Sequence, residues 1–210
     1  MPEQPRPATA TDAAAAPGPA RPVRAHARRN REKLLAAALH EFSAAGDNAS
    51  LGGIAKAAGV GIGTLYRHFP NRESLVLATY EHEVEQLCSG AAELLDTLPA
   101  DEAFQEWMRR LASLLVTKQQ MSEALRAFGP HDTWESATYT SVYTTIATLV
   151  EAGAAAGRIR DDLTTADVVL AMSGLLRLDV TGDWRGQADR LIALLMDGLR
   201  TGARTQGAHG

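Results

Sequence analysis

The sequence predicts an all-α protein, with a small helix-turn-helix head of three helices and a larger helical body behind it. Three observations carry that expectation. Residues 50–69, SLGGIAKAAGVGIGTLYRHF, hold two short apolar repeats at helical spacing on either side of one glycine-flanked turn. Apolar residues recur at i, i+3 and i+4 through most of the chain beyond that motif. Past Pro99 no stretch sustains the period-two alternation of a strand.

Residues 1–25 are rich in Ala and Pro without an apolar period, and read as a disordered arm. The first helix runs from about Arg28 to Ala45, with Leu35, Leu39 and Phe42 as its inner stripe and Gly46 as its stop. The second places Leu51, Ile54, Ala55 and Ala58 on one face, with Ser50 as N-cap and Gly59 at the left-handed position after its end. Val60 plugs the turn. The third helix spans about Ile62 to His68, with Leu65 and Phe69 inward against Phe42 and Ile54. Pro70 and the N-cap Asn71 then start a long helix reaching to about Leu98, with Glu73 favourable in its first turn. Further helices are expected near 101–118, 121–128, 133–156, 164–178 and 185–203, broken at Gly129-Pro130, at Gly157 with Asp161-Asp162, and at Gly182-Asp183. The domains are thus the arm at 1–25, the head at 26–75 and the body at 76–205.

The third helix has the chemistry of a DNA reader. At about 1.5 Å per residue it is about 10 Å long, short enough to present its first turn to a major groove about 12 Å wide. With Leu65 and Phe69 inward, Ile62, Gly63, Thr64, Tyr66 and His68 face out or lie at the rim. Ile62 can touch a thymine methyl, Gly63 lets backbone and phosphate approach, and Thr64 offers a hydroxyl. Arg72, at the start of the next helix, is placed to reach phosphate. Arg28 and Arg29 adjoin the head and can do the same, whereas Arg21 and Arg24 serve equally as minor-groove contacts or as a solubilising tail.

The run from Asn30 to Leu75, with RNREKLLAAALHEFSAAG, the 50–69 motif and PNRESL, resembles the DNA-binding domain of the tetracycline-repressor (TetR) family. The resemblance implies an all-helical homodimer that binds a palindromic operator on double-stranded DNA, usually as a repressor. It also implies a C-terminal domain that binds a small effector and dimerises. Ser50, Thr64, Tyr66, His68 and Arg72 would then be phosphate or groove contacts. Two features depart from the pattern: Gly61 stands where a Ser or Thr often caps the reading helix, and Gly52-Gly53 where acidic residues are common. Each interior Gly costs about 1 kcal/mol against Ala, so the motif should be soft in isolation.

Charge agrees once it is divided. The net formal charge is −4, yet residues 21–75 carry Arg21, Arg24, Arg28, Arg29, Arg31, Lys33, Lys56, Arg67 and Arg72 against four acids, a balance of +5. Residues 76–210 carry −8. A basic head on an acidic body orients the protein on DNA. A single cysteine, Cys88, excludes an internal disulfide and fits a reducing cytoplasm. No signal peptide and no span of about 18 apolar residues is visible. An enzyme is disfavoured: His82-Glu83 lacks a second zinc-binding histidine, and no phosphate loop or nucleophile elbow occurs. No metal or cofactor is expected.

Two parts of the body remain. Val168, Met172, Leu175 and Leu176, then Leu191, Leu194, Leu195 and Leu199, line two apolar helices that would form a four-helix dimer seam across a two-fold axis. Burial within one subunit is the alternative, and the resemblance favours the dimer. The large adaptable side chains Trp107, Met108, Met121, Phe128, Trp134, Tyr139 and Tyr143 suit a cavity for a largely apolar effector, with Lys118, Arg126, His131 and Arg177 as polar anchors. Composition permits this pocket; the resemblance is what argues for it. A body used only for dimerisation or partner docking is the other reading.

Overall fold

The chain threads two short helices between long ones, and the long ones build a stack in which the head shares a core with the body. The computed structural model describes residues 20–121, 125 and 134–200, with side chains left aside at 20–25, 47 and 134–136. Helix α1 spans Ala20–Ala45 and is followed by a 3-10 turn at Gly46–Asn48. Helices α2 (Leu51–Ala57) and α3 (Ile62–His68) form the hairpin of the head. Then come α4 (Arg72–Thr97), α5 (Ala100–Gln120), α6 (Trp134–Ala155) and α7 (Thr165–Met172), a 3-10 segment at Ser173–Arg177, and α8 (Trp184–Leu199). The described residues contain no strand, only an isolated antiparallel bridge between Ile159 and Arg200. Helix α1 begins at Ala20, inside the segment expected to be an arm; residues 1–19 lie outside the described part. The helix expected at 121–128 also lies largely outside it, with Leu125 helical and buried. No helix among the described residues is long and apolar enough to cross a membrane.

Local chemistry sets the boundaries of the head. Ser50 caps α2, its Oγ accepting the Gly53 N–H at 2.9 Å. Gly59 has φ +67°, and its N–H donates to Lys56 while Val60 N–H donates to the Ala55 carbonyl. That is a Schellman termination, and Val60 packs on the core beside it. Asn71 caps α4 through a reciprocal box with Ser74, the Ser74 N–H to Asn71 Oδ1 distance being 2.8 Å. Gly157 closes α6 in the same left-handed way, at φ +65°. There the Arg158 N–H reaches the Gly153 carbonyl at 2.9 Å.

One core runs through the molecule. Leu34, Leu35 and Phe42 of α1 meet Ile54, Leu65 and Phe69 of the hairpin and Leu75 and Val76 of α4. Along α4 and α5 it continues through Leu87, Phe104, Trp107 and Met108 to Ile192 and Met196 of α8. Trp107 is wholly buried, and its indole N–H donates to the Leu87 carbonyl at 3.0 Å, so its one polar atom is satisfied.

The far end of the body is closed by a charge cluster. Asp101, buried at the start of α5, accepts from Arg158 at 3.0 Å through Oδ1 and from Arg200 at 3.0 Å through Oδ2. This joins the ends of α6 and α8 to α5. Burial pushes the Asp101 carboxyl up, but the hydrogen bonds and charges of Arg200 and Arg158 outweigh it and hold it below the usual carboxylate range. A carboxyl with a depressed folded-state pKa stabilises above its unfolded value of about 4 and loses that contribution as pH falls. Asp101→Asn should therefore cost about 1–3 kcal/mol in urea denaturation at pH 7, discounted because both arginines are partly exposed. The gap between wild type and variant should narrow as pH falls below about 4.

Candidate nucleic-acid interface and ligand cavity

The outer face of α3 is built by what its inner face removes from solvent. Leu65 and Phe69 are buried, and the remaining phase leaves Ile62 and Tyr66 45% and 49% exposed, one turn apart. Thr64 and His68 are half-buried at the rims, and the Gly63 backbone is open between them. A Cβ added at Gly52, Gly61 or Gly63 would meet nothing within 4 Å, so these glycines bare the backbone. Gly53 differs: a Cβ there would stand 2.9 Å from Ser50 Oγ, so a larger residue would need that hydroxyl to shift. Gly61 caps α3 in an extended conformation without a side-chain bond.

Arg72 is a correction to the sequence reading. It turns back onto its own chain. Its guanidinium donates to the carbonyls of Ala49 and, at 3.1 Å, Gly46, and lies 5.1 Å from the Phe42 ring centroid. A cation at the carbonyl end of α1 is favoured by the helix dipole. Arg28 and Arg29 are exposed on α1 as expected, Arg28 pairing loosely with Glu32 at 3.5 Å. Lys56 and Arg67 are also exposed on the head. They were counted in its charge but not singled out, because neither occupies an apolar-phase position that marks a face.

The body holds a cavity of about 540 Å³ between α4, α5, α6 and α7. Tyr80, Leu111, Lys118, Tyr139, Val142 and Met172 are among its walls. Of the residues expected to form the pocket or anchor its ligand, Tyr139 and Lys118 line the cavity. Trp107, Met108 and Met121 do not line it: all three are buried in the core, where large apolar side chains gain most from close packing. Tyr143 sits beside Tyr139, ring centroids 6.0 Å apart, outside the lining, and Arg177 is exposed. Phe128, Arg126 and His131, and the side chain of Trp134, lie outside the described residues.

The expected seam divides in two. Val168, Met172, Leu175 and Leu199 are buried within the subunit, contrary to the sequence reading. Leu176 and Leu194 are 59% and 71% exposed, joined by Leu170 at 72%, which the reading missed. Leu191 and Leu195 are half-buried. The reason is phase. In α8 the core stripe is Ala188, Ile192, Met196 and Leu199, leaving Leu191, Leu194, Leu195 and Gly198 as a second face at i, i+3, i+4, i+7. Past Met172 the chain tightens to 3-10 geometry, which shifts the exposed phase.

Two family models match the chain. "Bacterial regulatory proteins, tetR family" covers residues 34–79, and "Transcriptional regulator SbtR-like, C-terminal domain" covers 99–201. The TetR transcriptional regulator SCO0520 from Streptomyces coelicolor is 42% identical, with 81% of this chain and 98% of that one aligned at a TM-score of 0.73. The chain belongs to the TetR family. A TetR regulator from Mycobacterium vanbaalenii is 29% identical over 85% of this chain and 99% of that one, with a TM-score of 0.71. A comparison with curated proteins finds no match. As a TetR family member the protein is a helix-turn-helix DNA-binding transcription regulator and not an enzyme. The family binds DNA and small molecules and acts as dimers.

The placement of Arg72 gives a test that separates a strut from a phosphate contact. Arg72→Ala should lower the melting temperature yet leave the slope of log K against log salt for DNA binding unchanged. Loss of a true phosphate contact would reduce that slope by about 0.9. Tyr66→Ala should weaken binding to all duplexes alike in an anisotropy titration, whereas Ile62→Ala should also change the preferred base.

Proposed function

We propose that the protein is a cytoplasmic, ligand-responsive, homodimeric repressor that grips a palindromic operator through two α3 helices. Arg28, Arg29, Ser50, Ile62, Gly63, Thr64, Tyr66 and His68 are its proposed DNA contacts. The observation that carries the switch is the course of α4. At one end Arg72 fastens it to the carbonyls of Gly46 and Ala49 in the head. Eight residues on, about 12 Å at the helical rise, Tyr80 forms part of the cavity wall. A molecule that displaces that wall tilts the rod and changes the separation of the two reading helices. Base readout needs groove registry, whereas phosphate attraction does not, so a few ångströms suffice.

The proposed dimer face joins Leu170 and Leu176 to Leu191, Leu194 and Leu195. Gly174 and Gly198 have open space above them, which lets a second backbone come close. A two-fold pair reads two half-sites about one helical turn, or a multiple of it, apart. Ligand and DNA affinities are then reciprocally coupled.

The experiment is a titration of the duplex upstream of the protein's own coding sequence, beside light scattering. Wild type should elute as a dimer and bind that fragment at least about 10³-fold more tightly than scrambled duplex, the lower end of specific recognition. Leu194→Arg should halve the mass and abolish the preference while leaving the helical circular dichroism intact. A wild-type monomer, or equal affinity for both duplexes, would overturn the reading.

A further inference from the structure

The centre of the outer face of α3 belongs to Gly63 and Arg67. Leu65 is the buried residue of that helix. At about 100° per residue, the positions two before and two after it lie about 160° round the axis, on either side of the outward line. Those positions are Gly63 and Arg67, one turn apart. Ile62 and Tyr66 stand on one flank, and the half-buried Thr64 and His68 on the other. Arg67 is exposed. A Cβ added at Gly63 would meet nothing within 4 Å, so the surface one turn before Arg67 is clear. Helical side chains lean toward the N-terminus, which carries Arg67 over that clear surface toward the end of a reading helix that meets base edges. Three other arginines of the head are engaged within it. Arg28 pairs with Glu32 at 3.5 Å, Arg31 lies 5.6 Å from the Phe69 ring centroid, and Arg72 holds the carbonyls of Gly46 and Ala49. Among the described residues Arg67 enters no such contact, so it has none to give up on binding.

A helix lying in the major groove meets the phosphate walls with its flanks and the base edges with its outward line. On that line a guanidinium has one matching base. Guanine presents two acceptors there, N7 and O6, and the planar fork can donate to both. Adenine sets an amino donor where guanine has O6, cytosine offers a donor, and thymine pairs a lone acceptor with a methyl group. A phosphate would take the same fork but carries no sequence. With no side chain at Gly63, the helix backbone can come closer to the groove floor, which brings the Arg67 head within reach of it.

We infer that Arg67 reads one guanine in each half-site, its guanidinium donating to N7 and O6 from across the bare backbone of Gly63. This rests on the proposal that α3 enters the major groove. It adds a base identity to that reading: the operator carries a guanine, at mirrored positions, opposite the outward line of each α3.

The test uses the intact protein and the duplex upstream of its own coding sequence. Each guanine is replaced in turn by 7-deazaguanine, which lacks the N7 acceptor, or by inosine, which keeps both N7 and O6. In an anisotropy titration of wild type, 7-deazaguanine at one guanine per half-site should weaken binding at least about fivefold, while inosine there binds as guanine does. Arg67→Ala should erase that penalty and accept any base pair at the position, with the helical circular dichroism unchanged. Suppose instead that Arg67→Ala weakens every duplex by one factor, lowers the slope of log K against log salt by about 0.9 and keeps the 7-deazaguanine penalty. Arg67 then holds a phosphate, and the inference is overturned. If no guanine responds to 7-deazaguanine in wild type while the operator is still preferred over scrambled duplex, the guanine reading is overturned and α3 keeps its place in the groove. If Ile62→Ala, Tyr66→Ala and Arg67→Ala all bind as wild type does, α3 is not the reading helix, and the proposal beneath this one fails with it.

Discussion

The guanidinium of Arg72 joins three things that the chain keeps far apart: the carbonyl of Gly46 past the end of α1, the carbonyl of Ala49 before α2, and the ring of Phe42. The carbonyl end of a helix carries partial negative charge, so a cation there is favoured. The planar fork suits two carbonyls at once while its face rests on an aromatic ring, a combination that a lysine ammonium does not offer. In the proposed switch, any signal from the body to the head passes through this joint or through the shared apolar core beside it. The asymmetry comes from helix length. A rod of 26 residues, α4, transmits a tilt, whereas α2 and α3 have seven residues each and hold their geometry only by packing.

Those seven-residue helices were nonetheless the most legible part of the sequence. Their ends depend on rules that act over a few residues: the Ser50 hydroxyl, the positive φ of Gly59, the Asn71 cap. Local rules can be read locally. Arg72 was misjudged because an arginine at a helix start satisfies the pattern of a phosphate contact and of a strut equally well. Only the fold brings Gly46 and Ala49 into its reach. Trp107 and Met108 were misplaced for a related reason: bulk suits a cavity wall and a packed core alike, and the distinction is three-dimensional. In α8 the leucines drew attention away from Ala188, Ile192 and Met196, a better core stripe made of less uniform residues.

That second stripe has a further consequence. A helix apolar on two faces is stable in water only if both are covered, and in α8 one face packs inside the subunit while Leu194 stays open. The short helix α7 and its 3-10 extension behave likewise. Val169, Met172 and Ser173 face the cavity, while Leu170 points out. One thin layer thus separates the proposed effector from the proposed partner subunit. Packed layers shift between discrete arrangements rather than deform smoothly, so in the proposed switch occupancy of the cavity would bear on the seam as well as on α4.

The free energies required are small. Couplings of about 1–3 kcal/mol change affinity about 5–150-fold, which is within what one hydrogen bond to a charged group supplies. A stiff head would resist that input. This one contains Gly52 and Gly53 inside α2 and Gly63 inside α3, each costing about 1 kcal/mol against Ala. An added Cβ at Gly53 would press on the Ser50 hydroxyl, whereas Gly52 and Gly63 leave bare backbone at the surface. The same residues that bare the surface therefore weaken the head that presents it. In the proposed switch, a head with little stability of its own takes its geometry from α4 and Arg72, and that dependence would let a modest push at Tyr80 be felt at α3.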